Sequence, residues 1–197
     1  MVTVLKLLKE CWMMKRTFMV FFALVALLSS AFALEIGGVA LPDQVNVGEG
    51  SVPLNGAGLR KKLFIKVYAG GLYAPEKSKD AAALIAADAP GAVRMHFIYK
   101  LVEKEKLTGG WDEGFAKTAN GQFASEISAF NALFDQDAKK DDVYEIHYLP
   151  GVGITVFYNG TEKGKVSCDV AFKKAVWAIW LGESPADEGL KEGMLGL

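Results

Sequence analysis

Between Leu59 and Ala69 the chain alternates. Odd positions carry Leu59, Lys61, Leu63, Ile65, Val67 and Ala69; even positions carry Arg60, Lys62, Phe64, Lys66 and Tyr68. A period of two sends successive side chains to opposite faces, so the segment reads as a strand with one buried face. Gly70 and Gly71 then bend or bulge it before Leu72 and Tyr73. A strand of this kind suits a mostly antiparallel sheet whose covering layer lies on one side.

The rest of the chain supplies that sheet and that layer. Short strands are expected on both sides of Pro42-Asp43, at Ala92–Tyr99 and at Val143–Leu149. Ile154–Tyr158 and Lys163–Val166 flank Asn159-Gly160, the signature of a tight hairpin. Ser78–Ala87 reads as a short alanine-rich helix capped by Ser78. From Trp111 to Phe134 apolar residues recur at helical spacing, after a Thr108 cap and with Gly121 as an interruption. Asp169–Leu181 is a helix ended by Gly182, and Ser184-Pro185 opens a last short one. The expected class is α+β, a large and mostly antiparallel sheet with helices on one face.

The first 33 residues differ from the rest. From Met14 a basic head (Lys15, Arg16) precedes an apolar run, Phe18–Leu28, and an Ala31-Phe32-Ala33 site. That is the grammar of a secretory signal peptide. Cleavage near Ala33 is therefore expected, with a periplasmic or secreted protein as the outcome. Residues 1–33 form the leader and residues 34–197 a single domain with no transmembrane segment. The start is open between Met1, Met13 and Met14.

The whole chain has 22 basic and 23 acidic residues. The leader takes four of the first and one of the second, so residues 34–197 hold 18 against 22, a net charge of −4. A mildly acidic domain argues against a nucleic-acid partner, which asks for a basic face. Cys11 leaves with the leader, and Cys168 alone rules out a disulfide within the mature chain. It is expected as a structural thiol.

Recognised catalytic signatures do not occur: there is no Gly-x-Ser-x-Gly, phosphate loop or cysteine pair. His96 and His147 each fall within a strand, and two histidines make a poor metal site, so neither a metal nor a cofactor is expected. Arg60 is the better candidate. It shares strand parity with Phe64 and Tyr68. Under a covering helix the three would form an apolar cleft with a fixed guanidinium and a phenol, suited to an acid on an apolar body. The other reading is a solvated face carrying Arg60, Lys62 and Lys66.

Gly56-Ala57-Gly58-Leu59-Arg60, followed by Lys66-Val67-Tyr68-Ala69-Gly70-Gly71-Leu72-Tyr73, resembles the chalcone isomerase superfamily, and most of all its bacterial exported members. Trp111–Phe115, Tyr158-Asn159-Gly160 and Ala178–Pro185 fit the same group, and the resemblance covers about residues 37–196. It implies an open-faced β-sandwich, a large antiparallel sheet under a layer of helices. Plant enzymes of the superfamily close a chalcone into a flavanone, with an arginine steering the phenolate. Related members bind fatty acids through an arginine and a tyrosine.

Arg60 matches the family arginine, and Tyr68 falls where the enzymes have a threonine and the binders a tyrosine. The enzymes' catalytic tyrosine falls near Trp111, which lacks a hydroxyl, and their asparagine falls near Thr118 or Asn120. The resemblance therefore implies a non-catalytic binder of a fatty acid or similar amphipathic acid. Arg60 and Tyr68 would hold the acid group, and Phe64, Trp111 and Phe115 would line the apolar part. The alternatives are an intramolecular lyase on another enone, using Arg60 with Tyr68, Thr118 or Asn120, and a structural or partner-binding envelope module.

Overall fold

The computed structural model describes residues 34–197. The expected leader, residues 1–33, lies outside the described residues. Chain order runs β1 (Leu34–Ile36), β2 (Val39–Leu41), β3 (Gln44–Val47), β4 (Gly50–Lys62), β5 (Ile65–Tyr73), α1 (Ala81–Ala86), β6 (Gly91–Phe97) and β7 (Leu101–Val102). There follow α2 (Lys104–Thr118), α3 (Ala124–Ala132), β8 (Ala138–Lys139), β9 (Val143–Leu149), β10 (Gly153–Tyr158), β11 (Thr161–Val166), α4 (Val170–Leu181) and α5 (Glu188–Leu195).

Seven strands form one antiparallel sheet in the order β11-β10-β9-β6-β5-β4-β3. The period-two pattern sorts its two faces. Tyr68, Leu72, Val93, Met95, Phe97, Tyr144, Ile146, Ile154 and Val156 are buried together with residues of α2, α3, α4 and α5. The opposite face is partly covered by the β1–β2 arm, where Val39 and Leu41 pack on Ala57 and Ala69. This is the expected α+β architecture, an open-faced sandwich with its helices on one side.

The expected strand over Leu59–Ala69 is in fact a hairpin. β4 ends at Lys62 and β5 begins at Ile65, joined by Leu63 and Phe64. No glycine, proline or asparagine marks this turn, and apolar residues at the tip continue the alternation unbroken. Turn chemistry was therefore silent where the chain reverses. The last helix also starts later than Pro185, because Asp187 caps it: Oδ1 accepts from the Leu190 N–H at 2.9 Å. Asp80, not Ser78, caps α1, accepting from Ala83 N–H at 3.1 Å.

The long Trp111–Phe134 stripe is two helices. Asn120, Gly121 and Phe123 hold φ values of 51°, 74° and 65°, which no α-helix accommodates. The apolar spacing survives the break because both helices lay their aromatic residues on the same sheet.

The Gly-Ala-Gly of β4 has a packing role. A Cβ at Gly56 would lie 2.4 Å from the Gly193 carbonyl oxygen, and one at Gly58 would lie 2.9 Å from that of Leu190. Helix α5 thus rests backbone to backbone on the strand that carries Arg60, an approach that only glycine allows.

Candidate functional site

Arg60 and Tyr68 are direct cross-strand partners on β4 and β5. They face the helices, since Tyr68 belongs to the main core. The tip pairs are Lys61 with Lys66 and Lys62 with Ile65. A one-residue irregularity between Arg60 and Lys61 shifts the register there, and it is this bulge that sets Arg60 opposite Tyr68. Sequence parity placed these two residues together for the wrong reason: they meet across a hairpin, not along one strand.

The Tyr68 ring is 7% exposed and tilts against Phe97 at 5.6 Å. Its hydroxyl accepts a hydrogen bond from Trp180 Nε1 at 3.0 Å. Burial pushes the phenol up to about 12, against the opposing pull of the Trp180 N–H and the Arg60 charge. Tyr68 therefore keeps its proton at neutral pH, which leaves its hydroxyl free to donate and unsuited to act as a base.

The Arg60 guanidinium is one-quarter exposed. Nη1 donates to the Lys61 carbonyl at 2.5 Å and lies 3.6 Å from Asp187 Oδ2. The same carboxylate oxygen accepts from the Lys61 N–H at 3.0 Å. Asp187 thus caps α5 with one oxygen and fastens the hairpin base with the other. An acid bound at Arg60 must share or displace it.

Behind Tyr68 stands an aromatic interior. Trp180 meets Trp111 at 5.4 Å between ring centroids; Trp111 meets Phe134 at 5.1 Å and Phe130 at 5.6 Å. Phe115 stacks on Phe172 at 5.7 Å. Trp111 and Phe115 are thus both buried in the helix layer, linked to Tyr68 through Trp180. Trp111 Nε1 and the Tyr144 hydroxyl are buried without a hydrogen-bond partner among the described residues.

Phe64 is not part of this arrangement. It stands 99% exposed at the hairpin tip and lines no interior space, which corrects the expectation from strand parity. Thr118 Oγ1 donates back to the Gly114 carbonyl within its own helix at 3.2 Å, and Asn120 is exposed in the left-handed turn after it. Nothing joins either to the Arg60–Tyr68 pair. His96 and His147 lie on the opposite face of the sheet, on either side of the Arg94–Glu145 cross-strand ion pair. Among the described residues no group of acidic, histidine or cysteine side chains is placed to hold a metal. Cys168 is half-buried, and burial pushes its thiol up to about 11, the opposite of nucleophile activation.

Asp187 and Trp180 are neighbours of the Arg60–Tyr68 pair that sequence reading missed. Trp180 lay within the expected Asp169–Leu181 helix with nothing to single it out. Asp187 was passed over because the last helix was expected to open at Ser184-Pro185, so neither its cap nor its tie to Arg60 was read.

Two concavities lie elsewhere. One of about 410 Å³ is bounded by Tyr73, Ser78, Leu84, Pro90, Lys173 and Trp177. The other, about 470 Å³, is bounded by Phe123, Tyr148, Cys168 and Phe172 among others. Neither is lined by Arg60, Tyr68, Trp111 or Phe115.

Comparison with known proteins bears on the whole domain. A family model described as chalcone isomerase-like matches residues 33–196. No curated protein matches the chain significantly. Among solved structures, a fatty-acid binding protein of Arabidopsis thaliana superposes with a TM-score of 0.66 at 20% identity, over 80% of this chain and 92% of that one. At that identity the likeness establishes the shared fold.

Proposed function

Because this chain belongs to the chalcone isomerase-like family, we propose that it is a non-catalytic binder of a fatty acid or similar amphipathic acid. The observation that carries the reading is the Arg60–Tyr68 pair, a cation and a buried hydroxyl side by side on the covered face of the sheet. The Tyr68 oxygen already accepts from Trp180, which leaves its own proton to donate to a ligand oxygen. Arg60 supplies the charge, and the aromatic interior behind Trp180 supplies apolar contact for a chain. The fatty-acid binding protein of the same fold supports this choice of ligand class. We place the protein in the cell envelope of a bacterium, after cleavage near Ala33.

A titration of residues 34–197 with a long-chain fatty acid, followed by tryptophan emission, tests the reading. Trp111 and Trp180 stand next to the proposed site and report its occupancy. Arg60→Ala is expected to weaken binding by about 2 kcal/mol, the scale of a hydrogen bond to a charged group. Equal affinity in the two proteins refutes the site.

A second reading draws on one observation, that Arg60 already has Asp187. In that case the pair fastens the hairpin to α5, and the domain is a structural or partner-binding module. Arg60→Ala would then lower stability and change no ligand affinity.

A further inference from the structure

We propose that the tip of the β4–β5 hairpin is a docking point for an anionic phospholipid surface. Leu63 is 87% exposed, Phe64 99% and Ile65 47%, three large apolar residues in sequence and all in water. Lys61, Lys62 and Lys66 surround them, each exposed. Among the described residues none of these lysines forms an ion pair. Apolar residues at a projecting tip with cations around its base are the arrangement that inserts into a bilayer interface and holds its headgroups.

Two features show that the tip is unfavourable in water and favourable against anions. Lys61 and Lys66 are paired directly across the hairpin, and like charges in that position repel. A negative surface attracts both ammonium groups and offsets that repulsion. Leu63 holds a φ of 57°, a region that two-residue turns normally give to glycine or asparagine. A bulky leucine in strained backbone, with its side chain in solvent, gains nothing from the fold and points to a use for the exposed side chain.

The charge is local. Residues 34–197 carry a net charge of −4, whereas the segment from Arg60 to Lys66 holds four cations and no acid. Electrostatic attraction to an anionic surface therefore orients the molecule hairpin first. The tip is also too small to carry a stable protein interface, which needs about 800 Å² from each partner. Three side chains are enough to anchor a loop in a fluid interface. The base is firm, because Asp187 holds the Lys61 N–H. The inference does not depend on the ligand at Arg60.

Vesicle flotation tests it, with residues 34–197, whose elements and core form one compact unit. The probes are vesicles of phosphatidylcholine alone and of phosphatidylcholine mixed with phosphatidylglycerol. The wild type is expected to float with the mixed vesicles only, and added salt should release it. Phe64→Ser should lower the partition coefficient by about tenfold or more, as follows from withdrawing one buried phenyl ring. Lys61→Glu combined with Lys66→Glu should abolish the preference for anionic lipid. Leu63→Asn is a second probe, since asparagine suits the positive φ and the hairpin stays folded.

Equal flotation with both lipid compositions overturns the proposal, as does undiminished flotation of Phe64→Ser and Leu63→Asn. A solution dimer that Phe64→Ser dissociates, with no vesicle binding by the wild type, assigns the tip to a second copy of the chain and overturns it too.

Discussion

Arg60 has two claimants, Asp187 at 3.6 Å and any acid that enters beside Tyr68. The competition can be measured with the α5 cap kept in place. Asp187→Asn keeps an oxygen to cap α5, because asparagine caps as well as aspartate, and gives up the charge together with the bond from the Lys61 N–H. It is predicted to raise affinity for a fatty acid about fivefold, or ~1 kcal/mol, the scale of a partly exposed ion pair. Isothermal calorimetry reads this directly, and weakened binding would show that Asp187 positions Arg60 instead of competing for it. Tyr68 gives a second handle. Its pKa rises from 10.0 to about 12 on folding, so its share of stability is complete below pH 10 and is lost as pH climbs through about 12. Urea denaturation across that window should show falling stability, with a shallower fall in Tyr68→Phe. These residues were legible in the sequence to different degrees. Arg60 and Tyr68 stood out through parity and motif. Phe64 shared both signals yet points into water, because parity cannot reveal a chain reversal whose turn residues are leucine and phenylalanine. Trp180 lies 112 residues from Tyr68, and Asp187 lies 126 from Lys61, so only the folded chain brings them together.

Among the elements, those with their own periodicity were the readable ones. β6, β9, β10 and α4 fall where alternation and spacing place them, since each fills one face with apolar residues. The β4 stretch from Gly50 to Gly58 was left unassigned: its glycines, proline and asparagine carry no strand alternation, and Gly56 and Gly58 make room for α5. Helix α1 depends on a contact that no local rule predicts. It has six residues, too few to be stable alone, and the carbonyls of Leu84, Ile85 and Ala87 all accept from Lys173 Nζ, at 2.8, 3.1 and 2.9 Å. Burial pushes the Lys173 ammonium down to about 8, which still leaves it protonated at neutral pH. Lys173→Met keeps the apolar stem and strips three carbonyls of their donor. It should cost about 2 kcal/mol or more in urea denaturation. A loss under about 0.5 kcal/mol, the scale of an ordinary surface change, would mean that α1 is held by its apolar contacts alone.

At the scale of the whole molecule, one sheet does two jobs. Its covered face holds the Arg60–Tyr68 pair against an aromatic layer, and its β4–β5 hairpin carries that arginine to a basic, apolar tip. The account's central claim is that the arginine serves a bound acid. Native mass spectrometry of residues 34–197, purified from cells without detergent and followed by identification of extracted lipid, tests it most directly. The account predicts a stoichiometric acidic lipid on the wild type and on an exposed control, Lys140→Ala, and none on Arg60→Ala. Wild-type protein that is empty and ignores added fatty acids, or an Arg60→Ala protein that keeps the same lipid, would contradict it.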